Sequence, residues 1–341
     1  MSRARLLLHL GMDKTGSTSI QKAHGATLEG EVRWPAPALQ LQRLLTRSYG
    51  GARDEPDARD EVRALLARAA RNGGTVVVSH EAMSRWRAHR IAEALQEWMP
   101  LFDRVEAIAY LRAPLSYLAS RTVERVKQWP LPDALAHERP RYRTRLAPWE
   151  EALGREAMTY ALYDRAALAE GDVTADFAVR AGLPPAETAV RNPSPSREAV
   201  AVLAVYRAAV GREPRRHGHA PLRRPAVLAL DGFGTGRFRL APGVLDGAGD
   251  HAAQVAWAEA RLDRPFPEDR AAEGFADADA ILAYGAALGG ALRDWAATRV
   301  APGDLPPDND VPGLVEALRR ASEAPRRPRG RGWLPAFLRR P

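Results

Sequence analysis

The stretch RLLLHLGMDKTGST, Arg5–Thr18, decides the fold class. Arg5–Leu10 is a nearly unbroken apolar run carrying one histidine and closed by Gly11, the pattern of a strand buried on both faces. From Thr15 the pattern turns helical. Ser17, Thr18 and Ser19 supply capping hydroxyls and Ile20 the first apolar contact. A buried strand, a glycine-bearing turn and a helix start are the opening of an α/β unit.

Working outward, the same alternation continues. Thr75–Ser79 (TVVVS), Arg104–Leu111 (RVEAIAYL) and Ala157–Tyr163 (AMTYALY) read as further strands. Helices are expected over Asp57–Asn72, Arg87–Trp98, Pro114–Lys127, Asp172–Ala181, Arg197–Val210, His251–Leu262 and Asp277–Thr298. The first of these places Ala58, Val62, Leu65, Leu66 and Ala69 on one face. Residues 31–56 give no clear element. Strands separated by helices predict an α/β three-layer sandwich, a central mostly parallel sheet flanked by helices. One such domain is expected over residues 1–300. Within it, residues 211–250, rich in Gly, Pro and Arg, read as an insertion or lid. Residues 301–341 read as a basic, poorly ordered tail.

Composition sets limits. The 341 residues contain no cysteine, which excludes disulfides, thiolate metal sites and cysteine nucleophiles. No run of apolar residues is long enough to span a bilayer, and the N-terminus shows no small-residue cleavage site, so a cytoplasmic setting is expected. The net charge is +8, but residues 319–341 alone carry eight arginines and one acid, Glu323. The body is close to neutral, so no specific nucleic-acid partner is expected. The tail holds Trp333, Leu334, Phe337 and Leu338 among its arginines. Membrane association of that segment is possible in principle, but a solvated tail is the favoured reading. Against 47 arginines there are three lysines: Lys14, Lys22 and Lys127.

Parallel sheets bind ligands at the carboxyl ends of their strands, and three candidate motifs fall there. After the first strand come Gly11, Lys14, Thr15, Gly16, Ser17 and Thr18. Unpartnered amides of a first helical turn, the helix dipole and one lysine together make a cradle for a phosphate or sulfate. Gly11 and Gly16 keep the spacing of a Walker A loop, but the lysine stands at position 14 and not after the second glycine. The plain alternative is a capped strand–helix turn. After the second strand, Ser79-His80-Glu81 offers two bases, Glu81 and His80; a surface glutamate capping the next helix is the alternative. After the third, Arg112 precedes Pro114 and a helix bearing Ser116 and Ser120, a pairing that can grip a phosphate. A strand-end salt bridge would explain Arg112 equally well. Lys127, Trp129, Arg141 and Arg145 are placed to touch an acceptor, but a solvated helix face is the favoured reading.

These residues resemble a known family. LHLGMDKTGSTSIQ is similar to the 5′-phosphosulfate-binding loop of bacterial sulfotransferases related to the carbohydrate sulfotransferases. AYLRAPLSYLAS resembles their 3′-phosphate-binding strand and helix, with Arg112 and Ser120 eight residues apart, and VVVSHE resembles the segment that carries a glutamate base. The resemblance covers about residues 4–210. It implies a P-loop-like sheet and the donor 3′-phosphoadenylyl sulfate (PAPS), with no metal required. The acceptor would be a hydroxyl or amine of a small molecule or carbohydrate. Lys14, Thr15, Gly16, Ser17 and Thr18 would hold the 5′-phosphosulfate, Arg112 and Ser120 the 3′-phosphate, and Glu81 or His80 would take the acceptor proton. Asp13, an acid inside the anion loop, departs from that scheme. A P-loop kinase or hydrolase, and an adaptor acting through the basic tail, are the competing readings.

Overall fold

The computed structural model describes residues 4–50, 55–131, 135, 139–185, 194–212, 225–246, 249–267 and 274–323. Where the sequence reads one domain over residues 1–300, the chain divides into two compact units: Met1–Arg121 with Glu138–Pro193 and Leu240–Ala272, and Thr122–His137 with Ser194–Arg239 and Glu273–Pro341.

The first unit holds a five-stranded, all-parallel sheet flanked by helices, as expected. Its strands are β1 (Ala4–His9), β2 (Val32–Arg33), β3 (Gly74–Ser79), β4 (Arg104–Leu111) and β5 (Met158–Leu162), in the spatial order β2-β3-β1-β4-β5. β1 is central. It pairs Leu7 with Val77 of β3 and Leu8 with Ala107 of β4. Because side chains alternate along a strand, β1 feeds two cores. Leu6, Leu8 and Leu10 join Val76, Val78, Ala107 and Ala109 in one apolar layer. Leu7 joins Val77, Ile108 and Tyr110 in the other. The first layer is covered by α2 (Ala38–Leu45), α3 (Pro56–Ala70), α4 (Ala88–Trp98), α5 (Pro114–Val126), α6 (Tyr142–Leu153) and, further along the chain, α10 (His251–Leu262). The second is covered by α1 (Ser17–His24) and α7 (Val173–Ala181), through Ile20 and Phe177.

Three elements of this unit differ from expectation. β2, only two residues long, and α2 lie within the stretch that gave no clear pattern. Helix α6 was hidden by Pro148 in its interior, although Tyr142, Leu146 and Trp149 form its buried face.

The second unit is helical. α8 (Arg197–Val210) is buried along Val200–Ala204. The expected helix over Asp277–Thr298 is two, α11 (Ala278–Ala287) and α12 (Gly289–Ala297). Helix α11 packs on α8 so closely that a Cβ on Gly285 would lie 2.4 Å from the Ala201 carbonyl oxygen. Two readings are corrected here. The segment expected to be an insertion or lid carries α9 (Pro225–Ala229), with buried Ala226, Leu230 and Phe233, so this part is core and not a flap. The segment expected to be a poorly ordered tail contains α13 (Val311–Glu323), whose Val311, Leu314, Val315 and Leu318 are buried. Those positions have the spacing of one helix face, a signal masked by the Pro/Arg-rich composition around them. Residues 324–341, including the arginine-rich end, lie outside the described residues. No helix among the described residues is long and apolar enough to cross a membrane.

Candidate functional site

The chain leaves β1 still paired to β4. The Leu10 amide donates to the Ile108 carbonyl at 2.9 Å, the Met12 amide to Tyr110 at 3.2 Å, and the Tyr110 amide to the Gly11 carbonyl at 2.6 Å. These bonds carry residues 10–16 over the carboxyl edge of the sheet. Gly11 has φ 89°, and a Cβ there would lie 2.9 Å from the Glu81 Cβ. Gly16, with φ 82°, immediately precedes α1; a Cβ there would lie 2.6 Å from Val173 Cγ1. Between them Lys14, half-buried, adopts φ 64°, a left-handed conformation that costs a non-glycine residue about 1 kcal/mol or more. Such strain persists only where surrounding contacts over-determine it.

Those contacts are visible. Thr15 is buried and gives its hydroxyl to the Met12 carbonyl at 2.5 Å; Ser17 makes a longer bond of 3.4 Å to the same oxygen. Thr15 can therefore serve a ligand through its amide, not its hydroxyl, while Thr18 is exposed. The first amides of α1 to reach a helical carbonyl are those of Ser19 and Ile20, both on Gly16, at 2.8 and 3.1 Å.

Arg112 leaves β4 beside this loop. Its Nη1 donates to the Lys14 carbonyl at 3.0 Å, its Nε to Ser116 Oγ at 2.8 Å, and its guanidinium lies over the Tyr163 ring, 5.5 Å from the centroid. The Tyr142 hydroxyl donates to the Arg112 carbonyl, tying α6 to the turn after β4. Ser116, not Ser120, is thus the serine that Arg112 bonds. Ser120 is half-buried one turn further along the same face of α5.

The two candidate bases separate. Glu81 sits against Gly11, and Gln21 of α1 donates to its Oε2 at 3.5 Å and to Ser79 Oγ at 3.1 Å. His80 faces a different partner, Thr46 Oγ1, at 3.1 Å. Since Thr46 already donates to the Gln42 carbonyl at 2.8 Å, it accepts from His80, which fixes the Nε2–H tautomer. Burial holds His80 below the usual histidine range, and its buried Nδ1 has no partner among the described residues. Of the two candidates, Glu81 is the one that lies against the β1–α1 loop. His9, which pairs with Ser79 in the sheet, is fully buried and pushed down to about 3 by that burial; its Nδ1 meets Ser79 Oγ at 2.8 Å.

Asp13 resolves the apparent conflict of an acid within an anion loop. Its side chain is 7% exposed and turns into three arginines: Arg145 Nη1 at 2.5 Å, Arg121 Nη1 at 2.8 Å and Arg85 Nη2 at 3.0 Å. The Tyr117 hydroxyl lies 3.3 Å from both carboxylate oxygens. Burial alone would raise this carboxyl, but Arg145, Arg85 and Arg121 outweigh it and hold it below its ordinary value. Sequence reasoning missed this cluster. Arg145 lies 132 positions from Asp13 and is not on a solvated face; its side chain is 14% exposed. Tyr163, under the Arg112 guanidinium, and Gln21, bonded to Ser79 and Glu81, have no motif of their own in the sequence.

Two cavities, of about 270 and 510 Å³, lie along the β2 edge, lined by Arg33, Leu28 and Asn72. Neither includes a residue of the β1–α1 loop. Among the described residues no cluster of three or more His, Cys, Asp or Glu could hold a metal ion. Compared with models of protein families, with curated proteins and with solved structures, the chain finds no match.

Proposed function

We propose that the chain is a sulfotransferase, moving a sulfuryl group from PAPS to a hydroxyl or amine of a small-molecule or carbohydrate acceptor. One observation carries the reading. Arg112 Nη1 lies 3.0 Å from the Lys14 carbonyl, so two anion-binding elements 98 positions apart meet at one point of the sheet edge.

In this scheme the amides opening α1 and the Lys14 ammonium hold the 5′-phosphosulfate. Arg112, with Ser116 and Ser120 on one face of α5, holds the 3′-phosphate as a charge-assisted pair. The acceptor oxygen or nitrogen forms its bond to sulfur as the bond from sulfur to the bridging oxygen breaks. The nucleotide leaves with that electron pair, and the acceptor proton passes to Glu81. Negative charge grows on the bridging oxygen during the step, so Lys14 stabilises the transition state more than the ground state. Losing one such preorganised donor costs about 3 kcal/mol, on the order of a hundredfold in turnover. Positioning and charge neutralisation supply the rest, as in phosphoryl transfer.

Thermal unfolding with adenosine 3′,5′-bisphosphate, and separately with ADP and Mg²⁺, tests the reading. Ligand at a hundredfold excess over its Kd stabilises the folded state by about 2.7 kcal/mol, enough to raise the melting temperature measurably. A rise with the bisphosphate alone is the expected result. A rise only with ADP and Mg²⁺ would move the protein to the kinases and hydrolases.

A further inference from the structure

The two cavities along the β2 edge take no part in the proposed transfer, and their walls carry a charge pattern of their own. β2 is the outermost strand of the sheet, and its Arg33 pairs with Val76 of β3, three residues short of Ser79. At about 3.3 Å per residue, this lies about 10 Å back from the carboxyl edge. Arg33 is 5% exposed and lines both cavities. Its Nε and Nη2 donate to the Ala69 carbonyl at 3.3 and 3.1 Å, Nη2 also donates to Gly73, and Nη1 donates to Gly30. Ala69 lies in the last turn of α3, so the guanidinium sits at the negative end of that helix. A guanidinium has five N–H donors, and these bonds use four, which leaves one Nη1 hydrogen. Every acceptor of Arg33 among the described residues is a backbone carbonyl. Carbonyls satisfy the donors but carry no net charge, so a whole positive charge stays buried without a counter-ion.

The smaller cavity, of about 270 Å³, adds to this charge. Arg68 of α3 lines it and makes no hydrogen bond or ion pair among the described residues. Glu29 and Glu31 line the larger cavity but not the smaller one. The smaller cavity is thus bordered by two guanidiniums and no carboxylate. Much of its remaining wall is apolar, from Leu28, Trp34, Pro35 and Leu65. Leu28 is 45% exposed, so a ligand beside it would cover apolar surface that otherwise meets water. Trp34 is 1% exposed, yet its indole Nε1 has no partner among the described residues. An indole N–H only donates, as guanidiniums do.

We propose that the smaller cavity is a binding site for a small organic carboxylate, whose apolar body lies against Leu28, Trp34 and Pro35 and whose charged end meets Arg68 and the spare donor of Arg33. Guanidinium forks match a planar carboxylate through paired N–H donors. The volume is at the low end for ligand pockets and suits one ring or a short chain. The acids of the larger cavity repel the same charge and confine the carboxylate to the arginine side. The inference is independent of the sulfuryl-transfer reading, because no residue lining this cavity belongs to the β1–α1 loop or to the turns after β3 and β4.

Benzoate and hexanoate, each compared with its uncharged amide, benzamide or hexanamide, are the probes. Each is titrated into the full chain labelled with nitrogen-15, and binding is followed in proton–nitrogen correlation spectra. At least one carboxylate is expected to bind saturably, about tenfold more tightly than its amide. It should also move the indole signal of Trp34, which is identified by its loss in Trp34→Phe. Arg68→Ala should cut the preference for the carboxylate about threefold or more, and Leu28→Ser should weaken carboxylate and amide alike. Arg68 and Leu28 are both exposed, so these variants spare the core, whereas Arg33 holds the end of α3 and is left in place. No saturable binding of either carboxylate, equal affinities for carboxylate and amide, an unmoved Trp34 signal or an undiminished preference in Arg68→Ala would each overturn the proposal.

Discussion

At the scale of single residues, Asp13 explains the most. It lies between Met12, whose carbonyl anchors Thr15, and Lys14, whose backbone is left-handed. Its ion pairs draw in the 3-10 turn after β3, α5 and α6. Removing one member of a buried ion pair leaves the others uncompensated, at a cost of about 3 kcal/mol or more. Asp13→Asn should therefore lower the unfolding free energy by about that amount in urea titrations; a change within about 0.5 kcal/mol would show that the cluster contributes nothing to holding the loop. The anomaly of an acid in the loop was legible in the sequence. Its resolution was not, because no local pattern links position 13 to positions 85, 121 and 145. Arg112 was legible through its place at a strand end. Its Ser116 partner was noted there, and the structure makes it the serine actually bonded.

At the scale of elements, the β1–α1 connection is set by two glycines. Gly16 combines φ 82° with a Cβ position 2.6 Å from Val173 Cγ1, so Gly16→Ala meets both backbone strain and a clash. The substitution should shift the opening of α1 away from α7 and weaken adenosine 3′,5′-bisphosphate binding at least tenfold; wild-type affinity would show that this turn does not hold the nucleotide. The long strands could be read from sequence because β1 and the carboxyl-terminal halves of β3 and β4 are buried on both faces, which leaves continuous apolar runs. β2 escaped notice because two residues show no period. Helices α6 and α13 escaped because proline, a valid warning against helix, outweighed apolar positions at the correct spacing.

At the scale of the whole molecule, buried histidines tie stability to pH. His9, His24 and His80 are all shifted down, burial being the first cause in each case. The unfolded chain binds these protons near the ordinary value of 6.5, whereas folded His9 resists until about 3. Their contribution is present above pH 6.5 and is lost as pH falls through that window. His9 alone gives a slope of about 1.4 kcal/mol per pH unit. Asp13, shifted down from 3.8, adds a further loss in stronger acid. Urea unfolding at pH 7.0, 6.0 and 5.0 should show stability falling steadily; a flat profile would contradict the burial of these rings as neutral groups. In the proposed scheme Lys14 and Arg112 grip one nucleotide, at its 5′-phosphosulfate and its 3′-phosphate. Calorimetric titration of adenosine 3′,5′-bisphosphate into the wild type, Lys14→Ala and Arg112→Ala tests it most directly. Saturable one-to-one binding by the wild type, weakened at least tenfold in each variant, is the predicted result; no binding by the wild type, or unchanged affinity in both variants, would contradict the account.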